Sequence, residues 1–221
     1  MALILPIILC FIPLLLTFCL LLFCFKMKLT HLLVAFLCGL VCVLPVSVIQ
    51  FFCGMAPFFS NQSLIFILIK SVLLYGLVEE LCKMGLIFVL PHKDYTPFKF
   101  LMLSFFFGLS LGCFESVIYF LDHFQKSSSI GGVLLYKPVF IRMFTADLIH
   151  MCCAGLLGIF VFENRRSAAY FSLVILAVCL HGVYDFFAGF ANSFKYFSLA
   201  VIFFAAIECR VRYSIYNPAE K

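Results

Sequence analysis

The chain has 221 residues, of which 66% are hydrophobic and 11% are charged, and its mean hydropathy is +1.21. Soluble domains are about 45–50% apolar and about 25% charged, so this composition excludes a soluble globular protein and indicates a polytopic membrane protein. The net charge of +5 does not indicate nucleic-acid binding, because the basic residues are scattered over the predicted loops.

Seven apolar segments are predicted to cross the membrane, since each approaches the roughly 20 residues that a bilayer requires. They cover residues 3–25, 31–53, 63–90, 99–121, 138–162, 168–190 and 194–209. The first segment lacks a basic leader and exceeds the apolar core of about 7–15 residues typical of a signal peptide, so we expect a span there. The predicted fold is an all-α transmembrane helix bundle with a buried polar site, in a single integral membrane domain over residues 1–221.

The twelve cysteines lie mostly inside these apolar segments, and no CxxC pair occurs. A thiolate metal site or a disulfide scaffold would place cysteines at other spacings and in polar loops. The cysteines are therefore expected to act as small apolar packing residues.

Basic residues between the segments and near their ends predict the orientation, because cytoplasmic loops are enriched in Lys and Arg. One side carries nine of them: Lys26, Lys28, Lys93, Lys99, Arg165, Arg166, Arg210, Arg212 and Lys221. The other side carries four: Lys126, Lys137, Arg142 and Lys195. We therefore expect the N-terminus outside and the C-terminus in the cytoplasm. The predicted loop 122–137 would face outward, either as a gate or as a plain connector.

Ionisable side chains inside four predicted spans are the main functional signal. Each costs about 2.5–3.5 kcal/mol at a helix centre, and such residues usually mark a functional site. They are Glu79, Glu80, Lys83, Glu115, Asp147, His150, His181 and Asp185. With a rise of about 1.5 Å per residue, four of them lie roughly 15–24 Å from the cytoplasmic helix ends: Glu80, Glu115, His150 and His181. Similar depths on four helices predict one shared polar cavity.

The two adjacent glutamates cannot both face that cavity, because neighbouring residues differ by about 100° around a helix. Glu80 is predicted to be the inward residue and to activate water, with Glu79 behind it. Lys83 has the i,i+4 spacing for an ion pair with Glu79 and also reaches Glu80.

Two aspartates are predicted to orient the histidines. Asp147 lies three residues before His150, and Asp185 lies four residues after His181, so each pair shares a helix face. A carboxylate behind an imidazole fixes its tautomer and raises its basicity.

The chemistry of this set has two versions that the sequence does not separate. Carboxylates and histidines bind hydrolytic metals, so a divalent metal such as zinc is predicted at a site with four candidate ligands: Glu80, Glu115, His150 and His181. Alternatively, a glutamate takes a proton from water and the histidines hold the oxyanion without a metal.

Two further functions remain open from the residues alone. A proton-coupled transporter would use the same groups as a relay, although no inverted repeat is visible. A non-catalytic membrane scaffold would bind another span through small-residue grooves.

Four motifs resemble those of the PrsW family of intramembrane proteases. They are Glu79-Glu80-x-x-Lys83 (EExxK), Glu115 in GLSLGCFES, His150 in DLIHMCCAG and His181-Gly182-x-x-Asp185 (HGxx(N/D)). The resemblance covers roughly residues 60–190. Leu111 stands where the family usually has Phe, which changes packing and no polar group.

The resemblance implies a peptidase that cleaves membrane-anchored proteins, in which Glu79, Glu80, Glu115, His150 and His181 are catalytic and Lys83, Asp147 and Asp185 support them. It implies an anti-sigma-factor-like substrate and suggests a prokaryotic plasma membrane. The wider superfamily includes CAAX-prenyl endopeptidases, bacteriocin-immunity-type proteins and a non-catalytic γ-secretase subunit, so the fold alone does not guarantee activity.

Overall fold

The computed structural model describes residues 4–93, 95–126, 133–164 and 171–216. These residues form helices and no β-strand, which confirms the predicted all-α fold. The α-helices are α1 Ile4–Cys10, α2 Ile12–Cys19, α3 Leu29–Gly54, α4 Leu64–Lys70, α5 Val78–Ile87, α6 Pro97–Lys126, α7 Val133–Met143, α8 Ala146–Asn164, α9 Ser172–Ala188 and α10 Phe197–Tyr216. Two π-helical segments, Leu20–Cys24 and Ser71–Leu77, continue α2 and join α4 to α5, and two 3-10 turns cover Pro57–Ser60 and Ser193–Tyr196.

Within this part of the chain, three helices are long and apolar enough to cross a membrane. They are Leu29–Gly54, Pro97–Gln125 and Tyr136–Glu163. The pair Ile4–Cys10 and Ile12–Cys24, bent by 42°, makes a fourth if it counts as one span.

Seven spans remain a prediction, because the other candidate helices are shorter or more charged. Helix α9 has 17 residues. The α4–π–α5 segment contains Lys70, Glu79, Glu80 and Lys83, and α10 contains Glu208, Arg210 and Arg212.

Helix α6 is the centre of the bundle and packs most extensively against α8 and α3. The buried residues of α3 recur at intervals of three and four positions, as expected for one helix face: Leu32, Ala35, Gly39, Cys42 and Val46. At the crossing, a Cβ on Gly39 would lie 2.7 Å from the Ser110 Cβ, so only glycine permits this approach. The Ser110 hydroxyl donates to the Phe36 carbonyl at 3.0 Å.

The outer surface of the bundle is apolar. Phe23, Ile65 and Phe203 are 70%, 70% and 72% exposed, and many other large apolar side chains are also exposed. Exposed apolar area of this extent suits a lipid environment, because lipid chains solvate it without the cost that water imposes.

The predicted bounds of the outer loop, residues 122–137, are wrong at both ends, where the structure has helix. Helix α6 continues to Lys126 and α7 begins at Val133, since neither end of the predicted loop contains a Gly or a Pro that would stop a helix. The Ser- and Gly-rich middle, residues 127–132, lies outside the described residues. The same holds for Arg165, Arg166 and Lys221, which contributed to the predicted orientation.

Candidate functional site

The first turns of α5 bury three charged side chains together. Glu79 is 3% exposed, and Glu80 and Lys83 are fully buried. The Lys83 Nζ lies 2.8 Å from the Glu79 Oε1 and 2.7 Å from the Glu80 Oε1. One ammonium is thus shared by two carboxylates, which leaves a formal charge of about −1 in an apolar environment that strengthens electrostatic attraction to further partners.

His150, on α8, contacts this group with one ring nitrogen. Its Nδ1 lies 2.7 Å from the Glu79 Oε1 and 3.1 Å from the Lys83 Nζ. Its other nitrogen, Nε2, lies 3.0 Å from the Glu115 Oε2, which belongs to α6. His150 therefore connects the central helix of the bundle to the charges on α5.

His181, on α9, approaches from the other side. Its Nδ1 lies 2.6 Å from the Glu80 Oε1. Its Nε2 faces the Glu79 Oε2 at 3.7 Å and the Asp185 Oδ2 at 3.5 Å. The two imidazole rings are 5.0 Å apart between centroids and nearly perpendicular, at 86°.

The partners of each ring determine which nitrogen carries a hydrogen. An ionised carboxylate only accepts hydrogen bonds, so the His181 Nδ1 donates to Glu80 and the His150 Nε2 donates to Glu115. The other nitrogen of each neutral ring then carries a lone pair that faces Glu79. The buried Glu79 Oε1 has the Lys83 ammonium at 2.8 Å as its ion-pair partner. Lys83 is one cation beside these acceptors, at 2.8 Å from Glu79 and 3.1 Å from the His150 Nδ1. A metal ion or an extra proton among the carboxylate and the two ring lone pairs would be a second positive charge that stabilises the group.

A metal ion fits this arrangement. One ligand atom from each of Glu79, His150 and His181 lies within 4.8 Å of the others, and all three residues are buried. Four carboxylates face two cationic side chains in the cluster, so the formal charge is about −2 when both imidazoles are neutral. The carboxylates belong to Glu79, Glu80, Glu115 and Asp185, and the cations are Lys83 and Arg142. A divalent cation would neutralise that excess.

The structure brings together all four helices that the sequence predicted to meet, but the order of the glutamates differs. Glu79, not Glu80, belongs to the compact group with the histidines. Glu80 lies against the far nitrogen of His181, and Glu115 lies against the far nitrogen of His150. Both positions are those of a carboxylate that orients a metal-binding imidazole.

Asp147 also differs from its predicted role behind His150. Its carboxylate accepts a hydrogen bond from the Ser116 hydroxyl at 2.8 Å and one from the Cys113 thiol at 3.7 Å. The contacts of both His150 ring nitrogens are with Glu79, Lys83 and Glu115, because α6 and α5 approach the ring from either side. Asp185, by contrast, reaches His181 as its spacing predicted.

Arg142 belongs to the network although its sequence position had suggested only a loop charge. Its Nη2 lies 3.4 Å from the Glu115 Oε2, its Nε donates to the Ser116 Oγ at 3.3 Å, and its guanidinium lies 4.7 Å from the Tyr119 ring centroid. The available signal was its place inside the predicted span 138–162, where an arginine requires a partner.

Glycines set the approach of the helices that carry the histidines. A Cβ on Gly76 would lie 2.6 Å from the Val178 carbonyl oxygen, and one on Gly182 would lie 2.9 Å from the Ser71 carbonyl oxygen. On α6, a Cβ on Gly112 would lie 2.9 Å from the Asp147 Cα and 3.1 Å from the His150 Cδ2. Any side chain at these positions would push α9 or α8 away from the glutamates.

Apolar helices around a buried carboxylate and two imidazoles define a candidate membrane-embedded hydrolase. Comparison with protein families gives the same class: residues 28–207 match the PrsW family of intramembrane metalloproteases. Because the match covers about four fifths of the sequence, the chain belongs to that family and is a membrane peptidase. The matched region extends beyond residues 60–190 on both sides. The comparisons with curated proteins and with solved structures gave no match.

The glycine contacts lead to the first prediction. Gly182→Ala should lower the unfolding free energy by about 1–3 kcal/mol, as overpacking does, and should reduce peptidase activity because His181 moves away from Glu79. Gly85→Ala is the matched control, since a Cβ there would meet nothing within 4 Å. Thermal unfolding in detergent and cleavage of a tagged single-span reporter measure the two effects. Equal behaviour of the two variants would contradict the positioning role of Gly182.

Proposed function

We propose that this peptidase cleaves membrane-anchored proteins at a centre formed by Glu79, His150 and His181, which together hold one divalent metal. The observation that carries the proposal is the convergence of one carboxylate and two imidazoles, from three different helices, on a single buried point. No pair of these residues is close in the sequence, so local helix geometry alone does not explain their meeting.

The donor set suits zinc or a similar ion, because zinc accepts nitrogen and oxygen ligands and leaves a position open in hydrolytic sites. Bound there, the metal would supply Lewis-acid activation of water and of the scissile carbonyl group. Glu80 and Glu115 hold the two imidazoles through their far nitrogens, at 2.6 Å and 3.0 Å. They are positioning residues and present the lone pairs of the rings to the centre.

Glu79 is the proposed proton acceptor for the attacking water. Its Oε1 lies 2.8 Å from the Lys83 ammonium and 2.7 Å from the His150 Nδ1, so this oxygen would hold the metal and is a poor base. Its Oε2 faces His181 and is directed toward the side where Asp185 lies. The proton is taken at Oε2 and then passes to the leaving amine of the cleaved peptide.

Asp185 is proposed to orient the water. It is more exposed than the other carboxylates near His181, since 28% of its side chain is accessible compared with 4% for Glu79 and none for Glu80. Accepting a hydrogen bond requires only a side-chain carbonyl oxygen, so Asn would serve as well as Asp, in agreement with the HGxx(N/D) motif.

Three narrower assignments go beyond family membership: the substrate, the type of membrane and the orientation of the chain. The resemblance supports an anti-sigma-factor-like substrate and a prokaryotic plasma membrane. The distribution of basic residues supports an outside N-terminus and a cytoplasmic C-terminus.

A protease-sensitive tag fused after Lys221 should be protected in intact cells and digested only after permeabilisation. Digestion in intact cells would reverse the orientation.

Substitution of the two glutamates tests the assigned roles. Glu79→Gln should reduce cleavage of a tagged single-span reporter by about 100-fold or more, because it removes a proton acceptor and a metal ligand. Glu80→Gln should cost about 10–100-fold, as expected for a residue that orients a ligand. His181→Ala should be as severe as Glu79→Gln.

Glu208→Gln is the matched control for these variants. Glu208 pairs with Arg212 at 2.9 Å on α10, and this partly exposed pair includes none of the site residues and contributes little to stability. Its activity and membrane abundance should match those of the wild type. Undiminished cleavage by Glu79→Gln at equal abundance would exclude the proposed role, and a milder loss for Glu79→Gln than for Glu80→Gln would reverse the two assignments.

A further inference from the structure

A cavity of about 400 Å³ adjoins the site at the end of the bundle where α4 begins and α9 ends. Asp185, which contacts His181, forms part of its wall. The volume lies in the range of protein ligand pockets, which is about 300–1,000 Å³. Asp185 therefore lies between the cavity and the His181 nitrogen that faces Glu79.

The wall of this cavity combines polar groups from two parts of the chain. Asn61 and Gln62 precede α4, and Lys70 and Ser71 lie at the junction of α4 and the π-helical segment. Side-chain amides and hydroxyls match the hydrogen-bonding groups of an extended peptide backbone. A peptide must leave the helical conformation before its amide bonds are accessible, because helical amides are internally paired.

Aromatic residues from two parts of the chain also line the cavity. In the first part Phe59 packs against Phe58 with ring centroids 5.1 Å apart. In the second part Phe190 packs against Phe186 at 5.1 Å and against Phe194 at 5.7 Å. A cavity lined by both aromatic rings and polar groups suits a segment that has apolar side chains and a solvated backbone, as at a membrane interface.

Lys70 brings a cation to the cavity wall, which also carries the Asp185 carboxylate. Its Nζ lies 5.9 Å from the Tyr75 ring centroid, and no carboxylate in the described part of the chain forms an ion pair with it. A cation inside a predicted span normally has an anionic partner. Because Lys70 lines the cavity, a ligand that enters can supply that partner.

We infer that this cavity receives the substrate as an extended segment, and that Lys70 selects substrates with an acidic side chain beside the scissile bond. This inference rests on the proposed function, since it takes the Glu79 centre as the place of cleavage. With the proposed orientation the cavity opens on the outer side, so the acidic residue lies on the outer flank of the substrate's span. Lys70 and the aromatic lining residues then determine specificity, and the glutamates and histidines perform the chemistry.

Photo-crosslinking in the Glu79→Gln background tests the inference without requiring turnover. A photoreactive phenylalanine replaces Phe190 in the cavity, or Phe203, which is 72% exposed on α10, as the control. The probes are two single-span reporters that differ only in the outer flank, which carries two Asp or two Lys. Binding is thereby measured separately from cleavage, so a failure of the proposed catalytic role leaves this result interpretable.

We expect the Asp reporter to cross-link at position 190 about fivefold more than the Lys reporter, with no preference at position 203. Lys70→Glu should reverse the preference, and Lys70→Arg, which keeps the charge and guards against a folding defect, should retain it. Equal cross-linking of both reporters at position 190 would overturn the inference, as would a preference that Lys70→Glu leaves unchanged. Cross-linking at position 190 to lipid in place of both reporters would assign the cavity to a headgroup and overturn it as well.

Discussion

The shared ion pair of Lys83 with Glu79 and Glu80 is the interaction on which the rest of the site depends. All three side chains are buried, and the ammonium lies within 2.8 Å of both carboxylates. Removal of one member of a buried ionic group costs about 3–5 kcal/mol, because the others remain buried without compensation. Two carboxylates with one ammonium still leave a negative charge, and the histidines of α8 and α9 are the groups that contact it. Electrostatics on one helix thus determines where two others must place their imidazoles.

Packing makes that arrangement possible. Gly76 and Gly182 allow the π-helical segment and α9 to touch through their backbones, and Gly112 does the same for α6 and α8. These contacts set the histidines at hydrogen-bonding distance from Glu79, Glu80 and Glu115. Close backbone approach through small residues is the usual basis of helix association in lipid, where the hydrophobic effect between helices is weak. The chemistry of the centre and the architecture of the bundle therefore depend on the same few residues.

The sequence was sufficient to predict the all-α fold and the meeting of the four polar positions. Ionisable side chains in lipid need partners, and a constant helical rise allows their depths to be compared. The choice between Glu79 and Glu80 was not accessible in this way. The π-helical segment Ser71–Leu77 precedes them, and its wider turn changes the face on which later residues emerge. Asp147 and Arg142 show a second limit of sequence-based prediction. Each side chain pairs with a residue on another helix, and the spacing of residues along one helix does not predict such contacts.

Metal content is the measurement that tests the central claim most directly, namely that one carboxylate and two imidazoles meet around a single cation within the bundle. Purified wild-type protein and Glu208→Gln should each contain about one equivalent of a divalent metal, as a three-ligand centre requires. His150→Ala and His181→Ala, purified identically and folded as judged by thermal unfolding, should each lose it. Wild-type protein that cleaves a reporter while it contains no metal, in the presence of a strong chelator, would contradict the account and leave the imidazoles to hold the oxyanion alone.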